Sequence, residues 1–255
     1  MSQAEPQRPS LSGSARPAIA VRCGPVPQLL SRRLECVLQL VPPCVVLADV
    51  GTDHAQLPVA AVCRGVAERA IASDLREAPL HGARAHIDRS GVADRVVVVR
   101  GDGLLAVRHL SVQAVVMAGM SGDSMLRMLE AAPDVLARLQ HLTLQPNQNV
   151  CAVRAWALRN GWHLRDERML EERGQFFVVC AFGSGVGEDP AYSVPGWTEA
   201  ALCNIGPRLL TGKDAVALRW FERQRARVSH WVQRGVGRLR PELDVLEAAC
   251  QTMRA

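Results

Sequence analysis

Short apolar runs alternate along this chain with stretches whose apolar positions recur every three or four residues. Leu34, Val37, Leu38 and Val41 follow the spacing of one helical face, and Pro42 and Pro43 stop that helix. Apolar runs at 45–49, 69–73, 95–100, 114–118 and 141–145 predict strands, and the intervening segments 55–64, 77–90, 123–140 and 149–160 predict helices. Two further strands near 162–170 and 176–182 read as a hairpin. Such alternation predicts an α/β fold, a mostly parallel sheet covered by helices on both faces.

The pattern changes at Gly183 to Gly187, followed by Glu188, Asp189 and Pro190, which marks a domain boundary. The chain then divides into a proline-rich leader over 1–27 expected to be disordered, an α/β domain over 28–186 and a small helical domain over 187–255. In the last, 214–233 predicts a strong helix with Trp220, Val228 and Trp231 on its protein-facing side and Arg219, Arg223, Arg225, Arg227 and Arg234 elsewhere. Gly235, Gly237 and Pro241 break it, and Leu243, Leu246 and Cys250 predict a second helix folded back as a hairpin.

Composition narrows the class. With 255 residues, 48% of them apolar, the chain suffices for one α/β core and an appendage. No apolar run approaches the roughly 20 residues of a membrane span. None of the eight cysteines forms a C-x-x-C pair, so small buried hydrophobes in a reducing cytosol are expected, with neither a metal site nor a disulfide framework. The net charge is +5, which permits a polyanionic partner, although Lys213 is the only lysine and an arginine bias of the genome would give the same excess.

The candidate chemistry sits where strands end. The run at 45–49 closes on Asp49-Val-Gly51-Thr52-Asp53-His54, and in open α/β sheets ligands lie at such carboxyl ends. One glycine between two carboxylates suits a pyrophosphate poorly and suits the ammonium, sulfonium and ribose diol of S-adenosylmethionine well. A second strand ends at Asp74, placed for ribose hydroxyls, and a third at Gly101-Asp102-Gly103, placed for an adenine amino group. The fourth runs into Ala118-Gly119-Met120-Ser121-Gly122, where small residues leave room beside a transferred methyl, or where Asp123 or Ser124 simply caps the next helix. Asn147, closing the fifth strand, could hold a purine edge or merely terminate the strand; His54 could contact ligand or nearby backbone.

Leu30-Ser-Arg-Arg-Leu34, the Asp-Val-Gly-Thr-Asp-His-Ala element with Leu57-Pro58, Gly101-Asp-Gly-Leu104, Ala118-Gly-Met120, Leu144-Gln-Pro-Asn147 and Gly206-Pro207 together resemble, in order, the bacterial tRNA adenine-22 N1-methyltransferases. The resemblance covers about residues 29–230. It implies a Rossmann-like class I methyltransferase sheet, S-adenosylmethionine as cofactor, and a helical C-terminal domain that contacts tRNA in the cytoplasm. Asp49, Gly51, Thr52, Asp53, His54, Asp74, Asp102, Gly103, Gly119 and Met120 are then expected at the cofactor, and Ser121, Asn147, Arg223, Arg227 and Arg234 at the tRNA. Asp53 is the candidate catalytic residue, stabilising the cationic product or accepting an N6 proton, or instead fixing the methionine ammonium. Ser121 stands where the family has glycine, and Arg173, Gly174, Gln175, Phe176 and Phe177 replace its usual Asp-Gly-Lys and aromatic. Two alternatives remain open: a methyltransferase of another RNA or a small molecule, and a non-catalytic RNA-binding relative. The sequence does not fix the oligomeric state.

Overall fold

The computed structural model describes residues 29–255, so the expected leader over 1–27 lies outside the described residues. The chain enters through α1 (Arg32–Gln39), then alternates β1 (Cys44–Val50), α2 (Gln56–Cys63), β2 (Ala67–Asp74), α3 (Glu77–Arg89) and β3 (Val96–Arg100). It continues with β4 (Ala114–Met120), α4 (Gly122–Glu130), α5 (Pro133–Leu136), β5 (His141–Pro146), α6 (Val150–Arg159), β6 (Trp162–Glu172) and β7 (Gln175–Ser184). The strands form one seven-stranded sheet in the order β3-β2-β1-β4-β5-β7-β6. β1 to β5 pair in parallel, while β7 runs antiparallel between β5 and β6. The order reverses between β1 and β4, and a crevice opens there at the strands' carboxyl ends.

Side chains alternate across the sheet, so each strand feeds two cores. Ala48, Val115 and Met117 join one apolar cluster with Leu142 and Leu144, whereas Leu47, Ala114 and Val116 join the other with Val59 and Ala60 of α2. That two-sided burial is why these strands are short and nearly continuous in apolar residues.

Three expectations change. The single helix over 123–140 is two, because Pro133 has no N–H to continue a helix and instead starts α5 after a non-helical Ala132 (φ −134°). Beyond β7 come two unforeseen helices, α7 (Glu199–Ile205) and α8 (Pro207–Thr211), then α9 (Ala215–Gln233) and α10 (Arg240–Arg254). Ala217, Phe221 and Val228 anchor α9, while Trp220 is half-buried and Trp231 is 47% exposed, so neither tryptophan is the buried anchor the spacing suggested. An ion pair of Arg254 with Glu222 closes the hairpin of α9 and α10.

Residues after β7 share the larger apolar cluster with the sheet, through Leu202, Leu209, Phe221 and Leu246. Asp189 is buried and accepts from the backbone N–H of Leu164 at 2.7 Å and of Ala191 at 3.0 Å, which stitches the connecting segment to β6. Deeper, Arg154 of α6 donates through Nε to Glu167 Oε1 of β6 at 2.6 Å and through Nη1 to the Cys203 carbonyl at 2.8 Å. Gly206 turns the chain from α7 to α8 at φ +94°, and a Cβ there would stand 2.6 Å from Glu167 Oε2. Cys180, Cys203 and Cys250 are buried free thiols, whereas Cys63 is disulfide-bonded, which departs from the expectation that the cysteines stay unpaired.

Candidate active site

The turn after β1 is built by hydrogen bonds from the N–H groups of Gly51 and Thr52, both to the Ser73 carbonyl of β2 at 2.8 Å. Gly51 sits at φ +81°, so this turn selects glycine for its conformation, and a Cβ there would also have to displace the flexible tip of Met120, whose Cε lies 2.5 Å away. Just inside it, Asp49 is 7% exposed. Burial pushes its carboxyl up to about 6; the nearby Thr52 hydroxyl offsets part of the rise and the charge of Asp74 adds to it. Thr52 lies close enough for that influence, yet Thr52 Oγ1 makes no hydrogen bond of ordinary length and is a buried polar atom awaiting a partner.

Asp53 and His54 point outward, with side chains 79% and 55% exposed and His54 Nε2 3.6 Å from Asp53 Oδ2. His54 leans on α3, since a Cβ on Gly82 would come within 2.6 Å of its Nδ1. At the end of β2 the buried Asp74 accepts from the Arg76 N–H at 2.8 Å. Asp102, past β3, is exposed, and Gly103 follows it against Met128.

These residues line two cavities that share Gly51 and Ala118 and so form one trough across the switch point. One, of about 310 Å³, is bounded by Asp74, Asp102, Gly103, Gly119 and Met120; the other, of about 320 Å³, by Asp49, Thr52, Asp53, His54, Arg33 and Glu172. A third cavity of about 870 Å³ lies beyond, between Asn147, Phe177 and the Trp220, Arg223 and Arg227 side of α9. It meets the first at Gly119 and the second at Arg33.

That meeting point is held by a residue the sequence did not single out. Gln145 of β5 is fully buried; its Oε1 accepts from Arg33 Nη1 at 2.6 Å and from the Gly119 N–H at 3.1 Å, and its Nε2 donates to Asn147 Oδ1 at 3.1 Å. Asn147 Nδ2 in turn donates to the Gly119 carbonyl at 2.8 Å. The Asn147 amide is thus engaged at both ends by protein, which makes it a brace for the β4 loop as well as a cavity wall. Arg33 is fixed further by the Phe177 ring, 5.7 Å from Cζ, and its backbone N–H donates to Glu172 Oε1 at 3.2 Å. The signal for Gln145 was an amide inside an apolar strand, where a buried polar group needs partners.

Two expected substrate residues lie apart from the large cavity's lining. Ser121 caps α4, its Oγ accepting from the Ser124 N–H at 3.2 Å, so its side chain is spent on the helix end that Asp123 or Ser124 was expected to cap. Arg234 stands at the C-terminal end of α9, exposed. Among the described residues no group of His, Cys, Asp and Glu side chains could hold a metal ion.

Residues 30–180 match the model of a methyltransferase domain. Over 190 residues the chain is 36% identical to the tRNA (adenine(22)-N(1))-methyltransferase of Bacillus subtilis, covering 74% of this chain and 79% of that relative. Its structure is similar to that of the B. subtilis m1A22 tRNA methyltransferase TrmK, with a TM-score of 0.74 and 30% identity over 89% of this chain and 98% of the other. It is also similar to Sp1610 of Streptococcus pneumoniae in complex with S-adenosyl-L-methionine, with a TM-score of 0.73, 27% identity and the same coverage. The strand order, the acid-tipped trough at its switch point and this relatedness over most of both chains agree: the chain belongs to the tRNA (adenine(22)-N(1))-methyltransferase family.

Proposed function

We propose that this protein transfers a methyl group from S-adenosylmethionine to N1 of adenine 22 in tRNA, in the cytoplasm. The observation that carries the reading is the junction at Gly119 and Arg33, where an acid-lined trough opens into a larger cavity walled by arginine and aromatic side chains. The trough fits the cofactor chemically. Thr52 Oγ1 offers a buried, unpartnered polar atom, and Gly51 lines both halves of the trough. Asp49 and Asp53 would hold the methionine ammonium and Arg33 and His54 its carboxylate; Asp74 would take the ribose diol and Asp102 with Gly103 the adenine edge. Asp53 lines the trough and not the large cavity, which supports the ammonium role over proton acceptance from the target base.

S-adenosylmethionine, when bound, supplies a methyl group on a positively charged sulfur. Neutral adenine has a free lone pair at N1, so the bond to the methyl carbon forms as the bond to sulfur breaks, positive charge passes to the base, and no proton has to leave first. The residues of this chain therefore act by placement and by excluding water. Gln145 and Asn147 fix the Gly119 backbone at the junction. Phe177 and Trp220 give the large cavity apolar ring surface for a base turned out of the tRNA, at a cost of a few kcal/mol. Residues 187–255, with Arg223 and Arg227 at the cavity wall and Arg234 further out, form the tRNA-contacting part.

The test is incubation with unmodified tRNA and labelled cofactor, followed by digestion and nucleoside mass spectrometry. N1-methyladenosine is the expected product. Label in another nucleoside, or in none, contradicts the reading.

A further inference from the structure

Arg223, Arg227, Trp231 and Arg234 follow one another along α9 at steps of four, four and three residues, the spacing of a single helical face. At about 1.5 Å per residue they form a stripe roughly 16 Å long. It begins at the wall of the large cavity, which Arg223 and Arg227 line, and runs outward to the exposed end of the helix. Trp231 sits one turn beyond the cavity and is 47% exposed, its ring braced by His230 at 5.8 Å between centroids and 75° between planes.

Several features tell this tryptophan apart from an ordinary surface residue. The core of α9 is supplied by Ala217, Phe221 and Val228, so packing does not need the indole. Among the described residues, Arg223, Arg227 and Arg234 enter no ion pair, and Glu222, the acid of this arginine-rich stretch, is already paired with Arg254. Among the described residues, Trp231 is the one large apolar side chain of α9 and α10 that is exposed, so these helices present an aromatic ring among cations. An isolated aromatic ring flanked by unpaired guanidinium groups has the chemistry of a stacking platform for an unpaired nucleotide, since every base offers a π-face and every nucleotide brings a phosphate.

We propose that Trp231 stacks a base of the tRNA segment adjoining the methylated adenine, with Arg223, Arg227 and Arg234 on the phosphates that lead to it. The inference rests on the tRNA reading above and extends it by assigning a second base contact outside the pocket. The strand leaving the large cavity then runs along α9 and does not return to solvent at the cavity mouth.

The test compares the full chain with Trp231→Ala and Trp231→Phe, measuring affinity for an unmodified tRNA transcript at several salt concentrations with S-adenosylhomocysteine bound. Cofactor-product affinity is measured beside it. Trp231→Ala is expected to weaken tRNA binding about five- to 150-fold, the range for one lost base stack. Its salt slope should be unchanged, because no phosphate contact is removed. Trp231→Phe should bind within about threefold of the original, as an aromatic ring still stacks. Undiminished binding by Trp231→Ala overturns the platform alone, as does a Phe variant as weak as Ala or an Ala variant that also loses S-adenosylhomocysteine. An unaltered chain that binds S-adenosylhomocysteine but no tRNA overturns both the platform and the tRNA reading beneath it.

Discussion

Gln145 Oε1 stands 2.6 Å from Arg33 Nη1 and 3.1 Å from the Gly119 N–H, so one buried carbonyl oxygen holds both the cation between two cavities and the backbone between the trough and the large cavity. Gln145→Leu keeps much of the volume and removes every one of these bonds, leaving the Gly119 N–H without its acceptor. Misplacement by about 1 Å at a reacting centre costs on the order of 100-fold in rate. The methyl-transfer rate should therefore fall by about that factor, and S-adenosylhomocysteine affinity should fall by a smaller factor as Arg33 loosens. Single-turnover kinetics beside calorimetry check this, and an affinity loss as large as the rate loss would mean that Gln145 acts on the cofactor through Arg33 and not on the Gly119 junction.

The acids of the trough differ in burial, and their effects should differ accordingly. Asp74 is buried and oriented by Arg76, whereas Asp102 is exposed. Asp74→Ala should weaken cofactor binding by about 1.5–3 kcal/mol, the range for hydrogen bonds to a charged group, and Asp102→Ala by about 1 kcal/mol or less. Calorimetry on the two folded variants should return that order, and the reverse order would refute the ribose assignment.

Asp49 gives the site a pH dependence with a definite sign. Burial raises its folded value to about 6, above that of an unfolded aspartate. The folded chain therefore binds the proton more tightly, and stability from this group is present below pH 4 and lost as pH rises from about 4 to about 6. The loss amounts to at most about 3 kcal/mol. Asp49→Asn should melt higher than the original protein at pH 8, with the advantage shrinking toward pH 4. A cofactor ammonium favours the charged carboxylate, so cofactor affinity of the original protein should rise between about pH 5 and pH 7, and that rise should be absent in Asp49→Asn.

Much of this arrangement is legible in the sequence where local chemistry dictates it. β1 and its Asp-Val-Gly-Thr-Asp turn are visible because an apolar run meets a glycine and carboxylates within a few residues, and Asp49, Asp74, Gly103, Gly119 and Met120 all line the trough. Gln145 and Arg33 are not visible as partners, because 112 positions separate them and only the pairing of β4 with β5 and the packing of α1 bring them together. Trp231 is misjudged for a related reason. Helical periodicity gives a face, yet which face meets the core depends on Phe221, which has no place in the Trp220, Val228 and Trp231 set. Ser121 looked like a pocket residue from its place in a small-residue loop, and its hydroxyl is taken by the helix end that begins beside it.

The joint between the sheet and the C-terminal helices predicts a stability effect remote from chemistry. Gly206→Ala puts a Cβ at φ +94° and within 2.7 Å of Arg154 Nη2, beside the buried Arg154 and Glu167 pair. Strain at the backbone and a displaced buried ion pair should together cost about 2–4 kcal/mol. Thermal unfolding should show that loss, with tRNA binding falling alongside it; a melting temperature unchanged by the substitution would mean the pair is not held by this corner.

The proposed reaction methylates one atom of one nucleotide. N1-methyladenosine cannot form a Watson–Crick pair, so a reverse transcriptase copying treated tRNA stops at the modified position. Primer extension on unmodified transcripts carrying adenine or guanine at position 22, with and without enzyme and S-adenosylmethionine, therefore detects this methylation directly. An enzyme- and cofactor-dependent stop is expected at position 22 of the adenine transcript and none on the guanine transcript. A stop elsewhere, or an adenine transcript copied through position 22 after full incubation, would contradict it.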